Sequence, residues 1–299
     1  MTPTSHQRLP KSLWWTLIGL TFAWGFNWTA MKVALAEFTP WTFRSLCICF
    51  GSLLLFGVAR LSGNRLRVPR AVWGKLAVLA FFNVTCWNVM VAFGLTMIPS
   101  GRAAILAFTM PVWSVPLSAW LLGEQITPRK VGALLLGMTG MALLIGEDLA
   151  VLGRAPFGAM LTLGAALAWA IGTVLQKRWP LGLQMGTFTA WTMFLGGVPV
   201  LVGTLIFERH AWQPVGTGAL LALLYNIFIA FAFAYWAWFK IASTVSVAVS
   251  SISVLSVPIV GVLCGFVFLG ERPSLQEYAA LLCVVLAVLA VNLPARKRG

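Results

Sequence analysis

Apolar residues fall along this chain in ten long runs, each close to the roughly 20 residues that a helix needs to cross a hydrocarbon core about 30 Å thick. The runs predict spans near 13–34, 41–61, 72–95, 101–122 and 130–146, then near 157–176, 184–206, 216–239, 243–269 and 275–293. Short connections punctuate them, such as Ile98-Pro99-Ser100-Gly101 and Leu122-Gly123-Glu124. Proline and glycine there interrupt the helical pattern. No polar stretch is long enough to form a soluble domain, and no segment is of low complexity. The pattern predicts an all-α integral membrane protein, a single membrane domain over residues 1–299. Arg8 and Lys11 precede the first run as they would in a signal peptide. That run is too long and too rich in tryptophan, and lacks a small-residue cleavage site, so it reads as a retained first span.

Composition supports the same reading. The chain has 299 residues, of which 60% are hydrophobic and only 9% charged, too few charges to cover a water-soluble surface. Its net charge of +14 raises nucleic acid as a partner. The basic residues sit singly or in small groups between apolar runs, where topology signals sit, so the expected partners are lipid and a small molecule. With the N-terminus in the cytoplasm, fifteen of the 21 Lys and Arg residues fall in cytoplasmic segments and six on the opposite side. The positive-inside rule therefore predicts both termini in the cytoplasm and a multi-pass protein of the plasma membrane, the bacterial inner membrane. Cys47, Cys49, Cys86, Cys264 and Cys283 all lie in apolar runs, and His6 and His210 lie in a tail and a loop. Neither a disulfide frame, a metal site, a cofactor nor a catalytic cluster is expected from them.

The two halves of the chain echo each other. Pro111 precedes Gly123-Glu124 by twelve residues, and Pro258 precedes Gly270-Glu271 by twelve; the two glutamates are 147 positions apart. "WGFNWTAMK" from Trp24 pairs with "WAIGTVLQK" from Trp169 at an offset of 145. The first pair closes spans 4 and 9, and the second lies on spans 1 and 6. Each half then holds five spans, repeat one over about 12–147 and repeat two over about 156–294. Five is odd, so the second half runs through the membrane in the opposite sense. Inverted repeats of this kind are an architecture of secondary transporters. In each copy, glycine serves as a helix stop and glutamate marks the water boundary, and Thr127 or Ser274 caps the next helix.

Two five-helix units, with "WG..W...K" on the first helix and "LGE" closing the fourth after a proline, resemble the drug/metabolite transporter superfamily, specifically its two-repeat EamA-type members. The likeness spans nearly the whole chain and extends to the aromatic amino-acid exporter branch. The second copy departs from the pattern, with Ala170 and Gly172 in place of Gly25 and Asn27. The resemblance implies a basket of helices around a central cavity lined by spans 1, 3, 4, 6, 8 and 9, with spans 5 and 10 packed behind.

Polar and aromatic residues in those spans are the candidate site, because polar groups in a bilayer are expensive to hold. Helical spacing puts Trp24, Asn27, Trp28 and Met31 on one face, and Asn83, Trp87 and Met90 on another. The candidate substrate-binding residues are Trp24, Asn27, Asn83, Trp87, Asn88, Trp169, Tyr225, Asn226, Tyr235 and Trp236. Each Asn has a packing alternative, a bond to a neighbouring helix. Pro111 and Pro258 are candidate hinges, since proline removes a backbone hydrogen bond; a fixed bend is the alternative. No acidic or basic residue falls mid-span, which predicts a neutral cavity. A neutral cavity of amides and aromatic rings suits a zwitterion with an apolar side chain. The expected function is export of small neutral metabolites by alternating access, with aromatic and other bulky neutral amino acids foremost, from a monomer or weak homodimer. Export of other metabolites or drugs (purines, nucleosides, toxic compounds) stays open. So does a polytopic lipid-modifying enzyme, for which Glu124 with Arg129 and Glu271 with Arg272 are the only clusters.

Overall fold

A computed structural model describes residues 9–97, 103, 106–145, 156–209, 214–257, 260, 264 and 275–292. Among them the chain is helical throughout, with no β-strand. We number the helices α1 (Lys11–Ala34), α2 (Pro40–Leu61), α3 (Arg70–Met97), α4 (Met110–Leu122), α5 (Pro128–Ile145), α6 (Pro156–Arg178), α7 (Met185–Phe207), α8 (Thr217–Thr244), α9 (Val247–Ser256) and α10 (Leu275–Asn292). Helices α2, α3, α7, α8 and, over Phe157–Arg178, α6 are long and apolar enough to cross a membrane. Large apolar side chains such as Trp15, Phe50, Leu61 and Phe207 point outward and exposed. Lipid is the solvent that such a surface fits. The protein is an all-α integral membrane protein.

The boundary between the eighth and ninth spans moves from its expected place. Helix α8 continues through Ser243 and Thr244, and the break falls at Val245–Ser246. Ser246 is the N-cap of α9, its hydroxyl accepting from Val249 N at 3.4 Å. The turn after α4 follows the glycine-stop reading. Gly123 adopts φ 66, and its N–H and that of Glu124 bond back to Ala119 and Ser118. Only glycine takes this left-handed backbone without strain. Thr127 then caps α5, accepting from Lys130 N at 3.3 Å. Ser274, Glu271 and Pro258 lie outside the described residues.

Helix pairing follows a swap rule. Helix α3 lies against α6, and α8 against α1; α7 lies against α3, and α2 against α8. Helix α2 also faces α7, α4 faces α9, and α5 faces α10. Exchanging each helix with the one five places along reproduces this set, as an approximate two-fold between the halves requires. Close packing in the interior depends on small residues. A Cβ on Gly25 would come within 2.5 Å of Val260, so this glycine lets α1 lie on the chain beyond α9. A Cβ on Gly172 would sit 2.4 Å from Asn83 Oδ1. The departure of the second copy at position 172 therefore seats a buried asparagine of α3 against α6.

Two helices widen in the middle. Phe81–Cys86 of α3 and Asn226–Phe233 of α8 are π-helical, at corresponding places in the two halves. Such turns leave carbonyls without regular partners. Asn88 Nδ2 donates to Val84 O at 2.8 Å, and Asn226 Nδ2 donates to Ala222 O at 2.9 Å.

Candidate functional site

A central cavity lies between the halves, with about 630 Å³ of atom-free space counted with its open mouth. Helix α1 supplies Trp24, Asn27, Trp28 and Met31; α3 supplies Trp87, Asn88 and Val91. Ala107, Phe108 and Met110 come from the start of α4 and the turn before it. Trp169 comes from α6, Ala230, Phe231 and Tyr235 from α8, and Val254 from α9. The π-helical turns set these positions: Trp87 and Asn88 follow one directly, and Ala230, Phe231 and Tyr235 lie in or just after the other. Among the described residues, helices α5 and α10 contribute none to the lining, and they pack on each other.

Aromatic rings form the wall of the cavity. Trp169 meets Trp24 edge-on at 5.6 Å and Tyr235 at 5.4 Å, and lies 4.7 Å from Trp87. Edge-to-face contacts at these spacings are favourable for aromatic quadrupoles. Trp24 Nε1 donates to Ala230 O at 3.2 Å, which ties α1 to the widened part of α8. Asn88 Nδ2 donates to the Tyr235 hydroxyl at 3.1 Å as well as to Val84 O, so its Oδ1 is the atom left over. Asn88 Oδ1 and Asn27 Oδ1 are both buried with no hydrogen-bond partner among the described residues. Two amide oxygens without partners in a cavity are receptors for a donor.

The remaining candidates lie outside this lining. Asn83 is fully buried, packed against Gly172 where α3 meets α6. Asn226 is fully buried and turned back on its own helix. Tyr225 donates its hydroxyl to Ala23 O at 2.7 Å, joining α8 to α1. Trp236 lies under Lys240 Nζ, 4.7 Å from the ring centroid. Pro111 stands in the first turn of α4, where its missing N–H interrupts no bond. The break in this span is the turn at Phe108–Thr109, and Pro116 is the proline inside the helix.

The expectation of a neutral cavity is corrected by Arg44. This residue, near the start of α2, is buried yet lines the cavity. The hairpin from α1 to α2 brings it beside Met31, and its Nη2 lies 3.0 Å from Met31 Sδ. Its guanidinium also faces the Phe43 and Phe231 rings at 5.7 and 5.8 Å. Sequence reasoning missed it because it falls so close to the end of an apolar run. The signal available was a basic residue four positions after a proline-started helix, inside the run and not in the loop.

One end of the molecule is closed by polar contacts that join α4, α6, α8 and α9, those of Glu124 and Arg178 crossing between the halves. Glu124 Oε1 accepts from Val247 N at 2.9 Å, so the glutamate of the α4 stop also caps α9. Lys177 Nζ donates to Ser243 O and Val245 O at 3.0 and 2.8 Å, and Arg178 Nη1 donates to Leu121 O at 2.7 Å. Gln176 Nε2 donates to Phe239 O at 3.1 Å. The cavity residues of α1 and α3 lie in the later parts of those helices, and those of α2 and α4 at their starts. By chain direction the cavity therefore lies toward the end opposite this clasp. At that far end Glu208 accepts from the Thr42 backbone at 2.8 Å and from the Thr39 hydroxyl, capping α2 from α7.

The profile of the EamA-like transporter family matches residues 12–146 and again 156–293. The uncharacterized transporter YoaV of Bacillus subtilis is 24% identical over 87% of this chain and 89% of its own length. A protein of Salmonella typhimurium named "Probable amino-acid metabolite efflux pump" is 27% identical over 90% of each chain. Its namesake in Escherichia coli is 26% identical over 87% of this chain and 88% of its own. A solved crystal structure superposes with a TM-score of 0.81 at 20% identity, covering 96% of this chain and 99% of that one. This last likeness concerns the fold.

Proposed function

The chain belongs to the EamA-like transporter family, and we propose that within it the protein exports small neutral metabolites, foremost aromatic and other bulky neutral amino acids, by alternating access. It is a transporter and not an enzyme, as its named relatives are. One observation carries the substrate reading: the aromatic wall of Trp24, Trp87, Trp169 and Tyr235 stands beside the side-chain carbonyls of Asn27 and Asn88, which have no hydrogen-bond partner among the described residues. A flat apolar side chain fits the wall, and an ammonium group fits the amide oxygens. The names of the Salmonella and Escherichia relatives point the same way.

The clasp supports alternating access. It draws α4, α6, α8 and α9 together on one side of the cavity, and its members come from both halves. With both termini in the cytoplasm, the clasp is the closed cytoplasmic gate and the cavity faces outward. Release of the clasp and closure of the far end give the inward-facing form. The competing enzyme reading relied on Glu124 as an acid near the headgroups. That carboxylate instead caps α9, a structural use.

The test is a flux panel in proteoliposomes, with and without a proton gradient. Saturable movement of phenylalanine, tryptophan or methionine is expected. Movement of none of the three sinks the amino-acid reading.

A further inference from the structure

We infer that Arg44 is the anion-binding residue of the cavity and that the transported molecule is recognised through a carboxylate. This rests on the proposal that the cavity is the transport site.

Arg44 is only 4% exposed and borders the cavity, and its Nε is buried with no hydrogen-bond partner among the described residues. Among the described residues its guanidinium donates to the thioether of Met31, a weak acceptor. Arginine stays protonated in proteins, so the charge persists in this apolar setting. A buried charge is tolerated when it is compensated, and the rings of Phe43 and Phe231 compensate it only in part. The described carboxylates are engaged elsewhere: Glu37 on Gly216 N, Glu124 on Val247 N, and Glu208 on the start of α2. Among the carboxylates whose side chains are described, then, none neutralises Arg44. The cavity holds a planar fork of donors that matches a carboxylate in two-point geometry.

The rest of the cavity completes a zwitterion site. Asn88 is oriented by its bonds to Val84 and Tyr235, which leaves its carbonyl as an acceptor, and Asn27 offers a second. These neutral acceptors can receive an ammonium without an ion pair. The balance of charge makes the carboxylate the group the site requires, and the ammonium secondary.

Three probes separate these groups: phenylalanine, 3-phenylpropionate, which lacks the ammonium, and phenethylamine, which lacks the carboxylate. Binding to the purified full-length protein is followed by quenching of its tryptophan fluorescence. We expect both acids to bind saturably and phenethylamine to bind at least about tenfold more weakly. In Arg44→Gln the two acids should weaken by about tenfold or more and phenethylamine should not, with Arg44→Lys intermediate. Equal binding of phenethylamine and phenylalanine by the unaltered protein overturns the inference, whether or not the variants fold. So does an acid preference retained in Arg44→Gln, or failure of both acids to bind. If 3-phenylpropionate binds through Arg44 but no amino acid is transported, the substrate proposal fails and the anion site stands.

Discussion

Trp169 touches Trp24, Trp87, Tyr235 and Trp238, which makes it the hub of the aromatic wall. Aromatic pairs of this kind contribute about 0.5–1.5 kcal/mol each beyond burial. Trp169→Phe should keep the fold and raise KM for an aromatic amino acid about three- to tenfold, as read in transport kinetics. Trp169→Ala leaves a void and should lower stability by about 3–5 kcal/mol, seen as a fall in Tm. The sequence pointed to this residue because tryptophan in mid-span, away from the interfaces, has few reasons to be there. Mid-span asparagine was less informative. Asn27 and Asn88 border the cavity, whereas Asn83 packs against Gly172 and Asn226 bonds its own helix. All four look alike along the chain, where nothing marks which will border the cavity; π-helical turns lie at or beside Asn83, Asn88 and Asn226 but not Asn27. Arg44 was hidden for the opposite reason, being counted with the charges at span ends.

At the level of elements, the glutamate of the Leu-Gly-Glu motif does more than end a helix. The left-handed Gly123 stops α4, as its sequence context predicts. What local sequence could not reveal is that Glu124 then reaches the first turn of α9, in the other half. Removing an acceptor at a helix start loses about 1 kcal/mol. Glu124→Ala should therefore favour the form open at the clasp by about fivefold. A cysteine placed at buried Ser118, near the end of α4, should label faster with a membrane-impermeant maleimide in that variant. Unchanged labelling would show that the clasp holds nothing shut. The contact of α3 with α6 gives an independent prediction. Gly172→Val drives a side chain into Asn83 and should lower stability by about 1–3 kcal/mol in a thermal melt, whereas overpacking at exposed, open Gly57 should do little.

For the whole molecule, repetition was the most legible feature. Motifs recurring 145 and 147 positions apart outlined two units, and the family profile matches twice over the same ground. The exchange of helix partners between halves is what such units need in order to form one cavity between them. The charge pattern predicts the orientation: with the N-terminus in the cytoplasm, fifteen of the 21 basic residues fall on that side. Reporters fused to either end should both be read in the cytoplasm; both read outside would reverse the assignment of the clasp, and one on each side would contradict the ten-span count. The central claim is that the cavity carries aromatic and other bulky neutral amino acids across the membrane by alternating access. Counterflow tests it most directly. Proteoliposomes preloaded with unlabelled phenylalanine should take up labelled phenylalanine faster than empty ones, saturably, and less so in Trp169→Phe. Uptake that is indifferent to preloading, or linear with concentration, would contradict the account.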